Sequence, residues 1–500
     1  MLDDGSLQIL GRIGQLEELI KTILPRSHSA SHEPQLGTAL TRKRQVNATT
    51  EEVLSWTVFK GRYDSRRSLK TLLRTRTLAD AATSPARLDL SCATSNIEQS
   101  LPQRMVDNFF HSIHVKNPML DEVAITRSVH QMLLNGPSWD AECCLVLVIC
   151  ALGSLASSFD TDFGSSDLQM AAVAASYFDA AQRRLGMMIG SGGVLEAQCF
   201  FYSGVYMMSK LEPLRAWRFF CQALACCQDF ACADPLYQNQ QCSVRTAQSL
   251  PAEECVYWSC WKSDLELRAV LELPDFVFHD CSYPVLFPTP PESLQDQQTT
   301  SWYFYLSEIS LRRLEHQVRR NIAITTGASD KAFLAELDQT TRAAESLAEE
   351  WTHTLPIAMS LQTQQADDNV LKFILRGHLL NLWEVIYWPW LLLFIHEQVH
   401  TPEVMAYAAK GLQIAIDRIR VNKPGFHHRH HGTWLMLQSC TRSALILLAA
   451  AYITGPAELL PSGWSDAVAE TTELLRYWQR GAGDTADRLN ILEELRAGLR

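Results

Sequence analysis

Five hundred residues, 47% hydrophobic and 20% charged, suffice for a large core and are too apolar for a disordered chain. The formal net charge of −11 excludes a surface that wraps nucleic acid along its whole extent. Fourteen cysteines lie among apolar neighbours, and the first twenty residues carry acids in place of an apolar signal stretch. The thiols therefore read as buried groups of a reducing compartment, not as a disulfide framework.

The first predicted element spans 1–24. There Ile9, Ile13, Leu16, Ile20 and Ile23 recur at alternating steps of four and three, a short heptad seam. Gly11 and Gly14 weaken it, so it pairs with a second copy or a partner, or docks on its own chain. Residues 25–100 read as a largely disordered linker, rich in Ser, Thr, His and Pro at first. Its basic segment holds Lys60, Arg62, Arg66, Arg67, Lys70, Arg74 and Arg76 against the single acid Asp64. Such a run is read by nuclear import receptors, or is a solvated basic face.

From 101 to 460 the pattern is helix after helix, with a further helical segment over 461–500. "ECCLVLVICALGSLASSF", "DLQMAAVAASYFDAAQRRLGMMI", "LEAQCFFYSGVYMMSK" and "LRAWRFFCQALACCQDF" are apolar at three- and four-residue steps and parted by short breakers. No alternation of strands and helices occurs, so the predicted fold class is all-α, an array of packed helical hairpins. Within "EECVYWSCWKSDLELRAVLELP", Trp258, Trp261, Leu265 and Ala269 share one stripe, and Cys260, Asp264 and Arg268 the next. No base and nucleophile meet there, so the stretch reads as packing, with a guanidinium able to lie over an indole.

Further on, "VIYWPWLLLFI" at 385–395 is too short for a bilayer and is interrupted by Pro389, which predicts a kinked core helix. "HEQVH" then matches the pattern of zinc hydrolases: His396 and His400 one turn apart on a helix, with Glu397 placed to activate a zinc-bound water. His427, His428, His430 or His431 of "FHHRHH" could supply a third ligand. Against this, Pro402 is expected to stop the helix, leaving the two histidines as a C-terminal cap and the later cluster as a solvated loop. No phosphate loop, dinucleotide fingerprint or nucleophile elbow occurs.

Several of these stretches together resemble the middle homology region of fungal binuclear zinc-cluster transcription regulators. "LPQRMVDNFFHSIHVKNPML" resembles its opening helix, "YFDAAQRRL", "LEAQCFFYSGVYMMSK" and "RAWRFFCQALACCQDF" its hairpin section, and "LAEEWTHTLP" its Leu-x3-Trp-x3-Leu-Pro signature. "VYWSCWKSDLELRAVLELP" followed by "DFVFHDCSYPVLFPTPP" resembles its aromatic helix and Pro-rich exit, with Glu272-Leu273-Pro274 where Gly-Arg-Pro is usual. The resemblance covers roughly 100 to 450. It implies a non-enzymatic nuclear regulator of a metabolic or secondary-metabolite gene set, with no catalytic, metal or cofactor residue. The family's six-cysteine module has no counterpart, since the first cysteine is Cys92 and no Cys-x2-Cys occurs. On this reading the chain begins just after such a module, as a cluster-less relative, a truncated product or a fragment. It then acts through itself or other regulators, with direct DNA binding and membrane insertion not expected. A helical array also places pockets between helices, so a small-molecule effector is expected, with lining residues the sequence does not name.

Overall fold

Short polar side chains ahead of apolar runs set where the helices begin. In the computed structural model Asp121 accepts from the N–H groups of Val123 and Ala124, Asp140 from Cys143, Asn369 from Leu371 and Lys372, and Thr401 from Val404. The structure describes residue 11 and residues 48–64, 68, 69, 71–73, 100–156, 166–233, 250–273, 287–291, 294, 296–325, 332–363, 365–454, 460–479 and 483–499. The helices are α1 (Thr50–Leu54), α2 (Ser100–Ser112), α3 (Glu122–Asn135), α4 (Ala141–Leu155) and α5 (Ser166–Leu185). They continue as α6 (Val194–Ser209), α7 (Pro213–Cys227), α8 (Leu250–Leu271), α9 (Asp296–Thr325) and α10 (Ala332–Thr354). The last five are α11 (Val370–Leu391), α12 (Pro402–Asn422), α13 (Thr433–Thr454), α14 (Trp464–Trp478) and α15 (Thr485–Gly498). Among the described residues there is no strand, and the protein is all-α.

Two helical layers share one core. In the first, α4 packs against α2, α5 and α6, and the layer continues through α7 to α8. In the second, α11 lies between α9 and α12, α13 follows α12, and α14 and α15 close against α13. The 3-10 turn His114–Lys116 against α9, and α6 against α13, join the layers. Every side chain of α4 from Cys143 to Ser154 is buried, which explains its lack of a polar face. A Cβ on Gly153 would lie 1.8 Å from the Met105 carbonyl oxygen, so only glycine admits the close crossing of α4 and α2.

The tryptophan stripe of α8 is core. Trp258 and Trp261 meet edge to face at 5.5 Å, and Arg313 of α9, not Arg268, has its guanidinium 5.9 Å from the Trp258 ring centroid. Asp264 and Arg268 pair at 2.6 Å, with the carboxylate buried. Trp351 of α10 is likewise buried and donates its indole N–H to Ser310 Oγ at 2.8 Å. The eleven described cysteines are free thiols and all but Cys221 are buried. Burial pushes Cys150 and Cys440 up to about 12, so they stay protonated near neutrality.

Pro389 sits inside α11, and the chain then widens into a π turn over Leu392–His396, where the Glu397 N–H bonds the Leu392 carbonyl at 3.1 Å. The apolar run is longer than 385–395. Val370–His396 and Thr433–Ile453 are each long and apolar enough to cross a bilayer, but 67% and 83% of their apolar windows are buried inside the protein. Both serve as core helices here.

The expectation of a disordered linker over 25–100 fails for its middle. Residues 48–64 form a strap whose Val53, Leu54, Trp56 and Tyr63 are fully buried, with α1 packed on α13. Lys60 and Arg62 lie exposed on it, while Arg66, Arg67, Lys70, Arg74 and Arg76 are outside the described residues. The heptad residues Ile9, Ile13, Leu16, Ile20 and Ile23 are outside them too. Within 461–500 the described residues form the helices α14 and α15, and Leu475, Trp478 and Leu492 belong to the common core.

Candidate functional site

Some charged side chains occupy helix positions that face the core. Glu384 stands between Trp383 and Val385, Lys262 follows Trp261, and Arg442 lies in the apolar α13. Burying such groups is costly unless each is paired. They are paired, around a cavity of about 230 Å³ at the seam of the two layers. Its walls come from α6, α7, α8, α9, α11, α12 and α13, together with Lys116 and Ala48 of the strap.

Two ionic clusters line it. In the first, Lys262 and Glu308 form a close pair between α8 and α9, and His378 Nε2 lies 3.2 Å from Glu308. Arg312 donates to His378 Nδ1 at 2.7 Å, which places the ring proton on Nε2, toward Glu308. Arg312 also contacts Glu266 and reaches Glu315 at 3.0 Å, and Arg319 holds Glu315 from the other side at 2.8 Å. In the second cluster Glu384 accepts from Arg418 at 2.7 Å and from Arg442. Arg418 further donates to the Gly377 carbonyl and to Asn381, and Arg442 to the Ala48 carbonyl at 2.7 Å.

Burial by itself would raise the carboxylates. For Glu308 the Lys262 ammonium, His378 and Arg312 outweigh it and hold the group far below the usual range. Arg312 and Arg319 bring Glu315 down to about 2 against the same desolvation, and Arg418 and Arg442 lower Glu384. Desolvation brings Lys116 down to about 8, partly offset by Glu308. Desolvation, then the Lys116 charge, keeps His430 and His431 neutral well below the ordinary histidine range. Both nitrogens of His378 are engaged by Arg312 and Glu308, which removes it as a free base. The cavity thus sets paired, buried charges beside an apolar wall.

The zinc-site pattern does not assemble. The helix ends in the π turn at His396, Gln398 is left-handed at φ 57°, and Glu397 to His400 lie in a loop, so the two imidazoles share no helix face. His396 Nδ1 instead accepts from the Thr57 N–H at 3.1 Å, tying the strap down, and His400 sits edge-on to Phe394. Pro402 does not stop that helix; it is the first residue of α12, behind the Thr401 cap. Among the described residues no three His, Cys, Asp or Glu side chains form a group able to hold a metal. Replacing exposed His400 with alanine is expected to change stability by under about 0.5 kcal/mol and to leave metal content unaltered. Stoichiometric zinc in purified protein, lost on His400→Ala, would restore the hydrolase.

The later histidines are also not a solvated loop. His427 is exposed against Tyr477, but His428 is buried and stacked on His430 at 5.3 Å, and His430 and His431 line the cavity. No protein-family model matches the chain, and no curated protein is significantly similar to it. Sequence reasoning missed the cavity residues. Their one local signal is a lone charge inside an apolar helix, as at Glu384 and Arg442.

Proposed function

We propose that the chain is a transcription regulator of a fungal metabolic or secondary-metabolite gene set, acting in the nucleus through its helical body and protein partners. In this reading the seam cavity receives a small-molecule effector that sets the regulator's state. The observation that carries it is the ordered set of family-like motifs: Phe109 and Phe110, then Ala216 and Trp217, then Trp258 and Trp261, then Leu347, Trp351, Leu355 and Pro356. Support comes from their placement, since Phe109, Trp258, Trp261, Leu347 and Trp351 all pack in the common core and bring no reactive group to a surface. The 500 residues contain no Cys-x2-Cys, so a zinc-cluster contact with DNA is not made by these residues. The heptad residues Ile9, Ile13, Leu16, Ile20 and Ile23 are the first surface proposed for that partner or a second copy.

The full chain fused to a heterologous DNA-binding domain tests this in a fungal host with a matching reporter. Expected is a change of about tenfold or more in reporter output, equivalent to roughly 1.4 kcal/mol in an equilibrium. A fluorescently tagged chain is expected in the nucleus, and to leave it when the basic residues from Lys60 to Arg76 are neutralised. A silent reporter, together with a protein outside the nucleus in both forms, ends the proposal.

A further inference from the structure

The cavity has more positive charge than its own acids use. Among the described residues its walls carry Lys116, Lys262, Arg312, Arg319, Arg418 and Arg442 against Glu266, Glu308, Glu315 and Glu384. Each carboxylate is in contact with a lysine or arginine, and five of the six cations are so engaged. Lys116 is the exception: it is 6% exposed, faces the cavity, and has no ion-pair or hydrogen-bond partner among the described residues. Its position is fixed, because Tyr202 donates to the Asn117 carbonyl at 3.2 Å and Gln198 to the Met119 carbonyl at 3.0 Å.

A second donor stands with it. His430 Nδ1 accepts from the Gly432 N–H at 3.0 Å, so the ring proton sits on Nε2, and that nitrogen is buried without a partner among the described residues. An ammonium that opens on the cavity and a buried N–H, neither held by a partner among the described residues, are an arrangement that an acceptor anion would complete. Apolar surface surrounds them, from Phe201, Val205, Met208, Phe220, Phe304 and Leu435. A phosphate dianion needs several free charged donors, whereas the cavity's guanidinium groups are already held by carboxylates.

We propose that the seam cavity binds a small organic monocarboxylate, its carboxylate on Lys116 and His430 and its apolar body against the aromatic and aliphatic wall. The inference rests on the reading of this cavity as an effector site and names the class of effector. A cavity of about 150 Å³ takes up benzene, so about 230 Å³ suits a body of roughly ten non-hydrogen atoms.

Isothermal titration of the full chain with 3-phenylpropionate, its uncharged amide and inorganic phosphate tests the proposal. Expected is binding of the acid about tenfold or more tighter than the amide, the usual scale for one charge-assisted hydrogen bond, with phosphate failing to displace it. Lys116→Met is expected to abolish the acid's advantage and leave the amide unchanged, Lys116→Arg to retain most of it, and Val205→Trp to exclude both. Equal affinity of acid and amide, displacement by phosphate, no binding of the acid at millimolar concentration, or wild-type binding to Val205→Trp each overturns it. Should Lys116→Met fail to fold, the acid–amide comparison on the natural chain decides alone. Because this measurement uses purified protein, a silent reporter with intact carboxylate binding would end the regulatory reading and leave the site standing.

Discussion

Glu384→Ala is expected to destabilise the protein by about 3–5 kcal/mol, the cost of stripping the partner from a buried ion pair. Here one carboxylate serves two guanidinium groups from different helices, Arg418 of α12 and Arg442 of α13, and all three side chains are at most 12% exposed. Alanine leaves both cations buried. Arg418 keeps the Gly377 carbonyl and Asn381, and Arg442 keeps the Ala48 carbonyl, so the loss falls short of two fully orphaned charges. Glu384→Gln, which preserves shape and one acceptor, is expected to cost less than alanine. Lys423→Met breaks the exposed pair with Glu470 and is expected to cost under about 1 kcal/mol. Urea unfolding followed by tryptophan fluorescence separates the three. A Glu384→Ala midpoint equal to that of Lys423→Met would show that the network contributes no more than a surface pair.

The same carboxylates predict an acid limb. Glu315 and Glu384 ordinarily titrate near 4.5, and both are lowered in the folded protein, Glu315 to about 2. A group with a depressed folded value contributes its full stabilisation above its unfolded value. That contribution drains away as pH falls from about 4.5 toward 2, because the unfolded chain takes up protons that the folded chain refuses. Stability is thus expected to fall steeply over this window, with a shallower slope in Glu384→Gln, which removes one of the protons taken up.

How much of this was legible differs element by element. The all-α class follows from apolar steps of three and four, and the Trp258–Trp261 stripe follows from the same spacing, because a helix reports its buried face locally. The strap does not. "TTEEVLSWTVFKGRY" is too short to show a period, and it is held by Trp388, His396 and Arg442, more than 300 residues away. Local pattern carries no trace of such pairing. The pairing of His396 and His400 that "HEQVH" offers as an alternative fails for a nearer cause: the helix ends in the π turn at His396, and Glu397 to His400 run on in a loop. At His430 and His431, flanking Gly and Pro marked a turn correctly but not its direction, which is inward. Lys262, Arg312 and Glu384 would be surface residues by composition. Whether a charge is buried is decided by its partner, and these partners come from other helices.

Trp56→Ala is expected to remove about 3–5 kcal/mol from the docking of the strap. Trp56 is fully buried, 5.5 Å from Trp388, and its indole N–H has no hydrogen-bond partner among the described residues, so the loss is one of packing. Besides the buried Val53, Leu54 and Tyr63, the polar ties among the described residues include Thr57 to His396, Thr49 Oγ1 to Glu272 at 2.9 Å, and Arg442 to the Ala48 carbonyl. Hydrogen bonds of this kind contribute about 1 kcal/mol each, so together they do not replace the tryptophan. The strap is then expected to open as a unit while the helical layers stay folded. Trypsin cleavage after Lys60 and Arg62, both already exposed, should accelerate by about tenfold or more with far-ultraviolet circular dichroism unchanged, since more than about 1.4 kcal/mol of protection is lost. Ala48 is also a wall of the cavity, so opening the strap alters the very site where the effector is proposed to sit. The strap therefore connects the cavity to the basic segment and to whatever lies N-terminal of it. Unchanged proteolysis in Trp56→Ala would show that Val53, Leu54, Tyr63 and the polar ties hold the strap without the tryptophan. A collapse of the whole helical signal would show that it is part of the folding nucleus and not a separable element.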